Sequence, residues 1–174
     1  MIVLVLGGAR SGKSAVAERL AADLAGGGPV TVLATAVVTD DEMAARVAVH
    51  RARRPPDWTT VETGPGLAPA IRAADGTVLV DALGTWLAEQ PEMAGGADEL
   101  CAALADRPGA TVVVSEEVGL GVHPSSAVGR RFRDALGTLN QAVAAVADHV
   151  VLVVAGRAVP LVPAEVLVRE MTQA

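Results

Sequence analysis

A chain of 174 residues, 51% of them hydrophobic, is long enough for one domain with a sizeable core and too short for two comfortable ones. Its net charge of −6 and its 2% aromatic content argue against a general nucleic-acid binder, which needs cations for the backbone and rings for the bases. One cysteine, Cys101, makes no internal disulfide, and the apolar opening "MIVLVLGG" is too short to span a bilayer, so a soluble cytoplasmic protein is expected.

In chain order, short apolar runs rich in β-branched residues occupy 2–7, 30–36, 77–82, 110–117 and 149–156. Each is continuous, as in strands buried on both faces of a parallel sheet. Helical stretches alternate with them at about 13–25, 40–53, 64–74, 97–106 and 126–147, the last with Phe132, Leu136, Leu139, Val143 and Val146 along one face. Strands alternating with helices predict a three-layer α/β fold whose ligands bind beyond the carboxyl ends of the strands. "AVPLV" (158–162) adds an edge strand antiparallel to its neighbour, and residues 163–174 form a weakly amphipathic, frayed tail outside a single domain of residues 1–162.

Residues 7–14, "GGARSGKS", follow a strand and open a helix, the setting that a phosphate-binding loop requires. Its glycines let successive amides point at phosphate oxygens, the helix adds its dipole, and Ser14 offers a hydroxyl to Mg²⁺. Of 14 basic residues 13 are Arg, so the one Lys, Lys13, marks a place where a compact ammonium is needed for the β/γ-phosphates. Gly7, Gly8, Ala9, Arg10, Ser11, Gly12, Lys13 and Ser14 therefore form a nucleoside-triphosphate cradle. Asp81 ends a buried strand, where it either holds the Mg²⁺ hydration shell or starts the next helix. The guanine-reading N-K-x-D motif is absent, and Glu62 is a candidate for the guanine edge or a ribose diol.

Thr39 and Glu42 make a capping box, so a helix should start at Asp40. On it Met43, Val47 and His50 share a face, and His50 either completes an apolar stripe or serves as a nucleophile. Arg46, Arg51, Arg53 and Arg54 surround it in sequence; like charge nearby disfavours imidazolium, and a neutral imidazole is a nucleophile. His149 enters a strand and reads as structural, while His123 lies in a loop. Glu117, with Glu116 an equal alternative, lies at a strand end where it either takes a substrate hydroxyl proton as a base or holds the turn.

The N-terminal "GGARSGKS", "DDEMAAR" followed by a histidine and "RP", "EVGLGVHP" and "RRFRDALGTLNQ" together resemble the bifunctional adenosylcobinamide kinase/adenosylcobinamide-phosphate guanylyltransferase family, over roughly residues 1–160. The resemblance implies a RecA-like P-loop fold, a homotrimer, and adenosylcobinamide with GTP or ATP as substrates. It implies phosphorylation of the corrinoid's aminopropanol hydroxyl, then transfer of GMP through a guanylyl-histidine. On this chain the family's histidine falls on His50. Its nucleotide-binding blocks fall on residues 7–14, on Ala34, Thr35 and Ala36, on Arg51, Ala52, Arg53 and Arg54, on Glu62 and on Asp81. Val49 stands where some relatives have a second histidine, Asp81 where Glu is expected, and segment 88–99 is short. The competing readings are a P-loop kinase without guanylyl transfer and a nucleotide-binding regulatory switch.

Overall fold

The computed structural model describes residues 1–36, 48 and 52–173. The helix expected over 40–53 lies mostly outside these residues, as do His50 and Arg51. Seven strands form one sheet: β1 (Ile2–Gly7), β2 (Val30–Ala34), β3 (Thr59–Glu62), β4 (Thr77–Asp81), β5 (Thr111–Glu116), β6 (His149–Val154) and β7 (Arg157–Leu161). Their order is β3-β2-β4-β5-β1-β6-β7, with every pair parallel except β6 and β7. The mostly parallel three-layer sheet and its antiparallel edge strand are as the sequence predicts.

Helices among the described residues include α1 (Lys13–Ala25), α2 (Leu67–Ala73), α3 (Leu83–Ala88), α4 (Ala97–Asp106), α5 (Ala127–Val146) and α6 (Ala164–Gln173), with a 3₁₀ turn at Pro91–Met93. Because alternate strand residues point to opposite faces, the central strands build two cores. Ile2, Leu4, Val78, Val80 and Val113 face Leu67, Ile71, Leu83, Trp86, Leu100, Leu104, Leu136 and Leu139 of α2 to α5. Val3, Val5, Leu79, Val112 and Val114 face Ala17 and Ala21 of α1. Each fully buried Leu or Val contributes about 1.5–3 kcal/mol, so this double-sided burial is the main stabilising term. Small alanines on α1 let that helix lie close to the sheet, bringing the loop before it near the strand ends.

Three elements differ from the sequence reading: α3, which follows β4 directly, β3 and the tail. β3 is exposed at Thr59, Val61 and Glu62, and "TTVE" has no apolar run to announce a strand. The tail is a regular helix, α6, yet none of its residues is buried. No helix among the described residues is long and apolar enough to cross a membrane.

Candidate active site

Strand register gathers the expected residues along one rim. Ala34 pairs with Glu62 of β3 on one side and Asp81 of β4 on the other. Gly7 pairs with Glu116 of β5 and with Val153 of β6. All lie at or beside the carboxyl ends of parallel strands, where α/β sheets hold their ligands.

The loop from Gly7 to Lys13 turns sharply here. Arg10 and Gly12 have positive φ, 56° and 93°, and Gly12 starts α1 with no capping side chain. The backbone is held by Ser11 N donating to Gly8 O (3.3 Å), Lys13 N to Ser11 Oγ (3.3 Å) and Gly156 N to Ser11 O (2.8 Å). Gly156 belongs to the turn between β6 and β7, so the edge hairpin braces the loop from behind. Lys13 Nζ lies 3.5 Å from Gly8 O and 3.7 Å from Glu116 Oε1, with Lys13 only 12% exposed. A strand, an uncapped helix start and an ammonium thus converge, which is the arrangement that cradles polyphosphate.

Asp81 and Arg54 meet across the crevice. Arg54 Nη2 donates to Asp81 Oδ2 at 2.6 Å, its Nε lies 3.8 Å from Glu18 Oε1, and its side chain is 6% exposed. Arg53, more exposed, reaches the same Glu18 oxygen at 3.5 Å. Glu18, on α1, carried no signal in the sequence. Replacing Arg54 with methionine removes the guanidinium that Asp81 and Glu18 share, with Arg53 still beside Glu18, and should cost about 2–4 kcal/mol. Melting followed by circular dichroism should then fall by roughly 5–15 °C; an unchanged midpoint would show that the cluster contributes nothing to stability.

Thr35 is fully buried, and its hydroxyl is spent within the wall. It accepts from Ala82 N at 3.0 Å and lies 2.6 Å from both Ala82 O and Thr85 Oγ1. It ties the end of β2 to the start of α3. Ala34 O accepts from Thr63 N at 3.0 Å, tying the end of β3 to β2.

The adjacent glutamates separate. Glu117 N donates to Gly7 O, and the Glu117 carboxylate accepts from Gly119 N at 2.8 and 2.9 Å, closing its own turn. Glu116 faces Lys13 instead, with Oε2 accepting from Gly84 N at 3.1 Å. Asn140 of α5 fixes this strand end, donating from Nδ2 to Glu116 O (3.0 Å) and accepting from Ser115 Oγ (2.6 Å). Its amide is therefore used inside the chain.

His149 is the first residue of β6 and so lies at the opposite end of the sheet from the rim, while His123 is exposed in the loop after β5. Among the described residues no three His, Cys, Asp or Glu side chains cluster as a metal cage.

The chain matches the family model for cobinamide kinase / cobinamide phosphate guanyltransferase over residues 3–161. It is 44% identical over 167 residues to the bifunctional adenosylcobalamin biosynthesis protein CobP of Pseudomonas aeruginosa, covering 91% of this chain and 95% of the relative. It is 39% identical over 178 residues to the corresponding CobU protein of Escherichia coli, covering 90% of this chain and 97% of that one. Among solved structures, an ATPase from a bacterial type III secretion system aligns with a TM-score of 0.49 at 14% identity, covering 87% of this chain and 50% of that one.

Proposed function

The chain belongs to the cobinamide kinase / cobinamide phosphate guanyltransferase family, and from that membership we propose how its residues divide the two reactions. The enzyme is a transferase of adenosylcobalamin biosynthesis with kinase and guanylyltransferase activities. In the first reaction, adenosylcobinamide takes the terminal phosphoryl group of ATP or GTP on its aminopropanol hydroxyl. In the second, a nitrogen of His50 attacks the α-phosphorus of GTP, the bond to the β-phosphate oxygen breaks, and pyrophosphate leaves. An oxygen of the corrinoid phosphate then attacks the same phosphorus. The phosphorus–nitrogen bond breaks, the imidazole is restored, and adenosyl-GDP-cobinamide is released.

Lys13, the amides of residues 7–14 and the start of α1 bind the phosphates and offset charge that develops on them. Glu62, in register with Ala34 at the rim, is the candidate for a guanine edge or a ribose diol. Arg51 and Arg53 hold phosphate oxygens near His50, and Glu117 remains a candidate base for the kinase step. The observation that carries this reading is the ammonium of Lys13, held at a strand-loop-helix turn on the ligand-binding edge of the sheet. Its test is whether GMP from GTP stays on the chain through denaturation.

The donor set fits Mg²⁺ carried in by the nucleotide. A hydroxyl, Ser14, and one carboxylate, Asp81, suit an ion that keeps several waters and substrate oxygens, rather than one held in a protein cage. Bound there, the ion neutralises charge on the phosphates. Asp81 already pairs with Arg54, so the two cations would share or exchange that carboxylate.

A homotrimer is also part of this reading. Val159, Leu161 and Val162 at the edge strand and Val166, Leu167, Val168 and Met171 on α6 are 41–79% exposed, apolar side chains of the kind that interfaces cover. Sedimentation equilibrium should give a particle near three times the 17.6 kDa chain mass, and a monomer at micromolar concentration would remove this assignment. A single cysteine fits a reducing, cytoplasmic location.

A further inference from the structure

Glu116 is positioned more closely than a surface carboxylate needs to be. Its main chain is in register with Gly7, the first residue of the phosphate loop. Its carbonyl is held by Asn140 Nδ2, and Oε2 is seated on Gly84 N. A β-carbon on Gly84 would collide with that same oxygen, so the glycine opens the space that the carboxylate fills. The other oxygen, Oε1, lies 3.7 Å from Lys13 Nζ, and the two side chains are 12% and 30% exposed.

The ammonium has three donors, and its near acceptors, Gly8 O and Glu116 Oε1, both belong to the chain. A fixed negative charge therefore stands beside the cation that a polyphosphate must reach. It offsets part of the attraction of Lys13 and repels phosphate oxygens brought to the same place. In a part-buried site this repulsion is weakly screened by salt. It is strongest against a polyphosphate with its full charge, and weaker when a bound divalent cation has already reduced that charge.

We propose that Glu116 is a specificity-determining residue of the phosphate cradle, its carboxylate weakening the binding of a polyphosphate that arrives without a divalent cation. The inference rests on the nucleotide reading given above. It differs from a base role at this strand end, because it acts on binding before any bond changes.

The test is equilibrium dialysis of radiolabelled GTP against the full chain, once in EDTA and once in excess Mg²⁺. Glu116→Gln should bind GTP roughly tenfold more tightly than the unmodified chain in EDTA, and only about two- to threefold more tightly in Mg²⁺. Glu116→Asn carries the same expectation and covers a failure of the first variant to fold, which circular dichroism would reveal. Glu116→Asp keeps the charge and should stay within about twofold of the unmodified chain. Glu92→Gln makes the same change in net charge at an exposed residue paired with Arg131, and should leave both affinities unchanged. If the folded neutral variants bind GTP no more tightly in EDTA, or gain equally in both conditions, the proposal is wrong. If the unmodified chain binds no GTP in either condition, the nucleotide reading falls and this inference with it. GTP binding that is lost in Lys13→Ala, together with no gain in Glu116→Gln, would overturn the inference alone.

Discussion

Replacing His50 with alanine should abolish GMP retention by the denatured chain and stop formation of GDP-cobinamide, while phosphorylation of cobinamide stays within about threefold of the unmodified enzyme. The expectation follows from the chemistry of each step. The kinase reaction is a displacement by the corrinoid hydroxyl, and it needs positioned phosphates but no imidazole. Guanylyl transfer through the enzyme needs a nucleophile that is uncharged near neutral pH and leaves a reactive bond. A neutral imidazole meets both conditions. The measurement uses GTP labelled on the α-phosphate, with Mg²⁺, followed by denaturation and a check that the label is acid-labile and alkali-stable. Of the other two histidines, His149 starts β6 at the wrong end of the sheet, whereas His123 follows β5 on the rim side. His123→Ala is therefore the informative comparison. Label surviving in His50→Ala and lost in His123→Ala would move the covalent step to the loop after β5. Label absent from the unmodified chain would leave a kinase without an enzyme-bound guanylyl group.

Lys13→Ala should lower both activities by roughly 10²–10³-fold, since one cation serves the phosphates in both displacements. Lys13→Arg should restore little of this. The ammonium sits between Gly8 O and Glu116 Oε1 in a tight loop, and a planar fork is wider than that space and prefers paired acceptors. Steady-state rates of cobinamide phosphorylation and guanylyl transfer, measured beside a circular dichroism spectrum, decide the matter. A folded Lys13→Ala enzyme that keeps more than about a tenth of either rate would mean that the loop amides alone bind the phosphates.

The sheet was readable because its central strands are continuous apolar runs that can be satisfied only between two layers. "IVLVLG", "TVLVDA" and "ATVVVSEE" have no polar face to leave in solvent, and each became an inner strand. β3 escaped because an edge strand needs little apolar surface. α3 escaped because six residues starting directly after β4 show no helical period; its start is held by Thr85 Oγ1, which accepts from Ala82 N. The tail was expected to fray, yet its backbone is a regular helix despite burying nothing.

At the site, local order was the easier part to read. The loop at 7–14 is contiguous in sequence, and its single lysine stands out against the arginines. Contacts across the chain were not readable. Arg54 and Asp81 are 27 residues apart, and their pairing depends on where β4 ends relative to the segment after residue 51. Nor could sequence choose between Glu116 and Glu117. Neighbours at a strand end point in different directions, and which of them faces Lys13 depends on the register of β5 against β1.

The hydrogen bond from Gly156 to Ser11 has a thermodynamic consequence. Gly156 lies in the turn that reverses the chain onto the antiparallel edge strand, so the shape of the loop at 7–12 is fixed when that hairpin closes. Ordering a free backbone costs about 1–2 kcal/mol per residue. Here that entropy is surrendered during folding, by a contact with no ligand in it. The loop is preorganised from the sheet's outermost edge, and an arriving nucleotide meets donors whose positions are already settled.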